Sequence, residues 1–211
     1  MSRTGYPLIS REGWPAILGV TVLAVAVHHF AGLAWAVPLW LAVPALLFVF
    51  RDPERPIPAL PLAVLSPVDG RVAAVGKGVD PYLGRDAVSI GIEMNRLGVY
   101  STRSPVEGKV VQRWYTARAE AGVGSGRPRY GVQVRTDEGD DVVLAMVGGS
   151  RLRRPRCYVQ HGERIGHGQR CGHILFGSRV EVYLPANSRV NARAGDRVTA
   201  GVSVLATLIH K

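Results

Sequence analysis

The sequence predicts a mainly β domain, a compact barrel or sandwich of short strands with glycine-rich hairpins, preceded by an N-terminal apolar helical hairpin. Three observations predict it. Residues 14–50 contain no Lys, Arg, Asp or Glu, whereas the chain beyond Arg51 has ordinary globular polarity and an excess of arginine. No segment after residue 60 sustains a helical period. Short apolar runs recur there instead at roughly ten-residue spacing, with glycine between them. Finally, two stretches of this region occur twice.

The elements follow in order. Residues 1–13 form an N-terminal segment. The uncharged stretch 14–50 is too long for one membrane crossing of about 20 residues and just enough for two short helices. A turn near His28-His29 places them at about 14–31 and 33–50. Arg3 and Arg11 precede the pair and Arg51 and Arg55 follow it, which puts both ends in the cytoplasm. A signal peptide fits less well, because the run is long and no small-residue cleavage site follows. A helical hairpin buried in a soluble core is the competing reading, and the missing charges disfavour it. Trp35 and Trp40 suit an interfacial position. Residues 51–63 belong to the proline-dense stretch "RDPERPIPALPLAVLSP" and are expected to be an extended linker.

Residues 64–211 carry the strand-like runs "GRVAAVG", "AVSIGIEM", "GKVVQRWY", "YGVQVRT", "DVVLAMVGG" and "CYVQHGERI". "SPVDGRV" at 66–72 recurs as "SPVEGKV" at 104–110. "VQHGERIGHGQRCGHI" at 159–174 resembles "NARAGDRVTAGVSVLATL" at 191–208. Such hairpins are similar to those of lipoyl and biotinyl carrier domains, flattened barrel-sandwich hybrids built from duplicated halves. No lysine stands where a carrier would display one, so the carrier function is excluded.

The formal net charge of +10 suits anionic lipid head groups or nucleic acid. Beside a membrane anchor, nucleic acid is not expected as a partner. "RLRRPR" at 151–156 is a solvated basic face or a patch for anionic phospholipid. The two cysteines, Cys157 and Cys171, have neither metal-ligand spacing nor a disulfide framework, which fits a reducing compartment. Glu138, Asp140 and Asp141 read as an acidic hairpin turn, and no metal site is expected.

"GHILFGSRVEVYLP", residues 172–185, reads as one strand, with Ile174, Phe176, Val180, Val182 and Leu184 at period two. Gly177-Ser178 interrupts it. The interruption is either a bulge or close backbone approach, or a peptide bond meant to be broken.

"FRDPERP" (50–56) behind an apolar hairpin, "SPVDGRV" (66–72), "RSPVEGKV" (103–110) and "FGSRVEVYLP" (176–185) occur in that order. With this pattern, nearly the whole chain resembles the short-form bacterial phosphatidylserine decarboxylase proenzymes, which depend on a pyruvoyl group. The resemblance implies that the Gly177–Ser178 bond cleaves itself by serinolysis, leaving a large chain 1–177 and a small chain 178–211 that stay associated. It implies that Ser178 becomes a pyruvoyl group, the cofactor, which forms a Schiff base with phosphatidylserine and yields phosphatidylethanolamine and CO2. It further implies a catalytic domain on the cytoplasmic face of a bacterial inner membrane, in contact with anionic lipids. Glycine at 177 leaves the attacked carbonyl sterically open. Asp69 matches the acidic residue associated with self-processing, where a carboxylate can orient a base; as part of an Asp-Gly dipeptide it is also an ordinary turn residue.

One departure stands out. Where the family carries a histidine, in a pattern like His-Val-Asn-Arg-Ser-Pro, this chain reads "VYSTRSP" (99–105), with Tyr100 at the histidine position. With an unperturbed pKa of about 10, tyrosine is a poor base at neutral pH. The Asn-Glu-Arg stretch of the family is also missing; "SGRPRY" (125–130) lies there. His161, His167 and His173 are the candidate substitutes. Two alternatives stay open: a non-catalytic, membrane-anchored β-barrel binding module, and a decarboxylase acting on a different phosphoserine lipid. The sequence is compatible with a homo-oligomer and does not require one.

Overall fold

The computed structural model describes residues 9–95, 98–116, 128–148, 155–175 and 179–209. The chain divides into two units, residues 1–54 and 55–211.

In the first unit, a single 3-10 turn at Arg11–Gly13 leads into helix α1 (Trp14–Ala31), followed by α2 (Leu33–Val49). Gly32 separates them at φ 87°, a left-handed conformation that a residue without Cβ adopts freely and that ends α1. Ala24 and Ala36 are fully buried, whereas Leu18, Val22, Phe30, Trp35 and Leu41 are exposed. The helices are thus apolar all round. The segment Arg11–Ala31, 21 residues, is long and apolar enough to cross a membrane; Leu33–Val49 is shorter. Ser10 N–H donates to the Phe50 carbonyl at 2.9 Å, closing the pair at its open end.

The second unit is built from strands β1 (Ala63–Leu65), β2 (Gly70–Val79), β3 (Asp86–Met94), β4 (Ser101–Arg103), β5 (Gly108–Thr116), β6 (Arg129–Arg135) and β7 (Asp141–Val147). They are followed by β8 (Arg156–Cys157), β9 (Arg164–Ile165), β10 (Arg170–His173), β11 (Arg179–Pro185), β12 (Arg189–Val190), β13 (Arg197–Val198) and β14 (Val204–Thr207). An eight-stranded sheet runs β13-β2-β3-β11-β7-β6-β5-β9, and two three-stranded sheets run β1-β14-β12 and β4-β10-β8. The mainly β class and the preceding apolar helix pair agree with the sequence reading. β1 already begins at Ala63, the last residue of the expected linker.

The internal repeats fold as repeats. Ser66 Oγ donates to the Val68 carbonyl and Ser104 Oγ to the Val106 carbonyl, each at 2.7 Å. Gly70 pairs with Val198 of one glycine hairpin, and Gly108 with Ile165 of the other. Val72 exchanges backbone bonds with Asp196 and Gly195; Val110 does the same with Glu163 and Gly162. The hairpin glycines Gly162, Gly168, Gly195 and Gly201 all have positive φ. The halves also clasp each other, since Leu65 N–H donates to the Pro105 carbonyl and Arg103 N–H to the Pro67 carbonyl, both at 2.8 Å. A single apolar core, including Ile90, Ile92, Leu144, Val182 and Leu205, fills the space between.

The stretch 172–185 differs from its sequence reading. It is not one interrupted strand. β10 pairs antiparallel with β4 and β8 in a small sheet, whereas β11 lies in the large sheet between β3 and β7. Period-two alternation is the same on either side of such a change of sheet, so the pattern could not reveal it.

Candidate active site

Asp69 stands at the end of the first Ser-Pro turn, immediately before β2. Its carboxylate is mostly buried and collects four donors. Arg55 Nη1 bonds to Oδ1 and Arg55 Nη2 to Oδ2, the latter at 2.6 Å; Ala200 N–H reaches Oδ1 at 2.8 Å and Val99 N–H reaches Oδ2 at 3.5 Å. Burial pushes the carboxyl pKa up, but the Arg55 guanidinium and the two amides outweigh it and hold it below the usual value. Asp69 is therefore an ionised anchor with its oxygens already engaged. It is not placed to collect a proton.

Val99 leads directly to Tyr100. The Tyr100 ring is 3% exposed and meets the His173 ring, 2% exposed, edge to face with centroids 6.3 Å apart. The backbones explain the meeting: His173 pairs with Ser101 across β10 and β4, and Ile174 N–H donates to the Tyr100 carbonyl at 2.9 Å. A buried imidazole thus stands against the residue that occupies the expected histidine position, five residues ahead of Ser178. Gly177 and Ser178 themselves lie outside the described residues.

The other candidate histidines are elsewhere. His161 is exposed in a hairpin turn. His167 is half-buried, its pKa lowered by burial, and lines a cavity of about 240 Å³ with Leu60, Leu62, Val106, Glu107 and Asp137. This cavity is lined from both halves and includes Glu107 but not Asp69, Tyr100 or His173. The Cys171 thiol is buried, donates to the Thr102 carbonyl at 3.4 Å and is pushed well above its usual pKa by burial, so it is no nucleophile. The acidic run forms the β6–β7 turn, where Asp140 N–H bonds to Thr136 Oγ1 and Asp141 pairs with Arg135. Among the described residues, no group of three or more His, Cys, Asp or Glu is arranged to hold a metal ion. Residues 151–154 of the arginine cluster and 125–127 of "SGRPRY" lie outside the described residues.

Sequence reasoning missed Arg55 as a site residue. Its one signal was indirect: an Asp that is to be buried in an apolar domain needs a cationic partner, and "DPERP" supplies one at a distance no spacing rule specifies.

Fold and site together define a class: a duplicated β domain preceded in the chain by an apolar helix pair, with Tyr100 and His173 buried together at the end of β10 and Asp69 bonded to the neighbouring Val99. Residues 45–206 match the family model described as phosphatidylserine decarboxylase. The phosphatidylserine decarboxylase proenzyme of Nitrosomonas eutropha is 46% identical over 206 residues, covering 95% of each chain. That of Aromatoleum aromaticum is 45% identical over 208 residues, covering 96% of this chain and 97% of its own. That of Cupriavidus pinatubonensis is 43% identical over 210 residues, covering 96% of each. The chain belongs to the phosphatidylserine decarboxylase family. No solved structure matches it.

Proposed function

We propose that the chain is a proenzyme that cuts itself between Gly177 and Ser178. The processed protein then decarboxylates phosphatidylserine to phosphatidylethanolamine at the cytoplasmic face of a bacterial inner membrane. The observation that carries this reading is the packing of Tyr100 against His173 at the end of β10, the strand leading to that bond, with Asp69 bonded to the neighbouring Val99, in a chain so similar to named proenzymes.

Ser178 Oγ attacks the Gly177 carbonyl carbon, and the amide nitrogen leaves, so that an ester replaces the peptide bond. Removal of the Ser178 Cα proton then expels the ester oxygen, and the upstream chain departs with Gly177 as its terminal carboxylate. Residue 178, now dehydroalanine, tautomerises; water enters, ammonia leaves, and a pyruvoyl group caps the downstream chain. His173 is the proton carrier of this scheme, since an imidazole can take a proton at one ring nitrogen and give one from the other. Tyr100 packs against the imidazole in a T-shaped contact and orients it. Asp69 fixes the backbone at Val99.

The residues fit a pyruvoyl group. Serine has the Cα hydrogen and β-oxygen that its formation consumes. The segment that follows is β11, bonded to β3 on one side and β7 on the other, which supports a small chain that stays in place after cleavage. When formed, the pyruvoyl carbonyl supplies the electron sink for the pair released as the substrate carboxylate leaves as CO2. The net charge of +10 and the apolar helix Arg11–Ala31 suit a lipid substrate in an anionic membrane.

An intact mass spectrum of the purified wild type beside Ser178→Ala tests the reading. The wild type is expected as two chains, 1–177 and a carbonyl-reactive 178–211, and the variant as one. Incubation with phosphatidylserine vesicles is then expected to release CO2. A wild type that stays whole after complete folding would leave a membrane-anchored binding module instead.

A further inference from the structure

We propose that Arg55, the first residue of the larger unit, is a positioning residue for self-processing and works by holding Asp69 as a fixed carboxylate. The inference rests on the self-cleavage reading above. Three observations carry it.

First, the contact is a closed ring. The two guanidinium nitrogens take the two Asp69 oxygens, Arg55 Nη1 also donates to the Ala200 carbonyl at 3.1 Å, and Ala200 N–H returns to Asp69 Oδ1 at 2.8 Å. Such a two-toothed fork fixes the plane of a carboxylate as a single ammonium cannot.

Second, the ring leads to the cleavage segment. Asp69 Oδ2 receives Val99 N–H, Val99 precedes Tyr100, and the Tyr100 carbonyl receives Ile174 N–H three residues before Gly177. A carboxylate that rotated or took a proton would release Val99 and, with it, the strand end carrying Tyr100 against His173.

Third, the turn does not need the pair in order to fold. The second Ser-Pro turn closes with the same serine bond of 2.7 Å, yet its Glu107 is 57% exposed and only 3.6 Å from an equally exposed Arg164. The corresponding Arg55 and Asp69 side chains are 13% and 18% exposed. A buried ion pair adds little net stability over an apolar replacement, so turn formation alone does not explain it. Arg55 is the charged group acting on Asp69 among the described residues; Val99, Ala200, Asn95 and Gly98 around it are uncharged.

The test follows the cleaved fraction of the full-length chain against time by intact mass, at a series of pH values between about 4.5 and 8. Wild type, Arg55→Met, Arg55→Gln and Arg55→Lys are compared. Thermal unfolding of each is measured on the uncleavable Ser178→Ala background. Without its guanidinium the buried carboxyl takes up a proton more readily. The acid limb of cleavage is expected to rise by about one to three pH units in the Met and Gln variants. At pH 5 these variants are expected to lose cleavage and at pH 8 to regain part of it. Lys, which keeps the charge but not the fork, should hold the limb near its wild-type place at a reduced rate. Lower melting temperatures with an unmoved acid limb would reduce Arg55 to a structural residue and overturn the proposal. A wild-type chain that never cleaves would sink the self-processing reading as well, which separates the two failures.

Discussion

The two Ser-Pro halves share a backbone and differ in what they bury. Ser66–Gly70 and Ser104–Gly108 close the same turn, bond to the same kind of glycine hairpin and begin equivalent strands, β2 and β5. Leu62 accepts Leu208 N–H in one half, just as Tyr100 accepts Ile174 N–H in the other, both at 2.9 Å. On that common frame the first half has a clamped, buried Asp69 where the second has an exposed Glu107. The second half has Tyr100 and His173 where the first has Leu62 and Thr207. The difference teaches where to look for chemistry in a duplicated fold. Positions that keep the symmetry hold the scaffold, and those that break it with buried polar groups are the candidates for the site.

The largest expected effects fall on the shared frame, equally in both halves. A Cβ at Gly70 would stand 2.0 Å from the Glu93 carbonyl oxygen, and one at Gly108 would stand 2.1 Å from that of Arg135. Each obstacle is backbone and cannot rotate away. Gly70→Ala and Gly108→Ala are each expected to cost about 3 kcal/mol or more in denaturant unfolding of the Ser178→Ala precursor. Unequal losses would show that the halves do not carry the fold alike.

Next come the two acidic positions, where the halves should part. Asp69→Asn leaves Arg55 facing a neutral amide and is expected to cost about 2 kcal/mol, with self-cleavage lost. Glu107→Gln removes an exposed pair and should change stability by less than about 0.5 kcal/mol, with cleavage intact. Their pH dependence differs in the same sense. The Asp69 pKa is lowered in the fold, so its contribution is complete above the ordinary carboxylate range and fades as pH falls through the depressed value. Precursor stability should therefore fall below about pH 4, and less steeply in Asp69→Asn than in wild type.

The smallest effects on stability, and the sharpest contrast in function, concern His173 and its counterpart Thr207. His173→Leu fills the same buried space and should shift stability by no more than about 1.5 kcal/mol, yet slow cleavage by about 100-fold or more. Thr207→Val should leave both unchanged within error. Wild-type cleavage rates in His173→Leu would move the proton carrier away from β10.

The contrast also marks what was legible in the sequence. The repeats, the Ser-Pro turns and the uncharged helix pair are written in local pattern, because glycine, proline and apolar spacing act over a few residues. Asp69 was visible through its motif. Its partner Arg55 was not, because a salt bridge between residues fourteen apart in a linker and a turn follows from tertiary packing, which has no period. His173 could be named only as one of three histidines; pairing of β10 with β4 selects it. The passage from one sheet to another before β11 was invisible for the reason that made it look like a single strand: alternation continues through it.

The central position of β11 has a consequence for the lifetime of the protein under the proposed self-cleavage. β11 is bonded along both edges, while β13 and β14 beyond it join β2 and β1, and Val180, Val182, Leu184 and Leu205 are fully buried. A chain cut before Arg179 holds these strands only by noncovalent bonds. Its precursor finds them within one polymer, but the cut protein, once unfolded, must recover them by a bimolecular encounter of two fragments. If the chain is cut as proposed, refolding of the precursor would not depend on dilution, whereas unfolding of the cut protein would become effectively one-way. The molecule would then age as a clockwork that is wound once, its working life fixed by the rate at which the small chain escapes from the centre of the sheet.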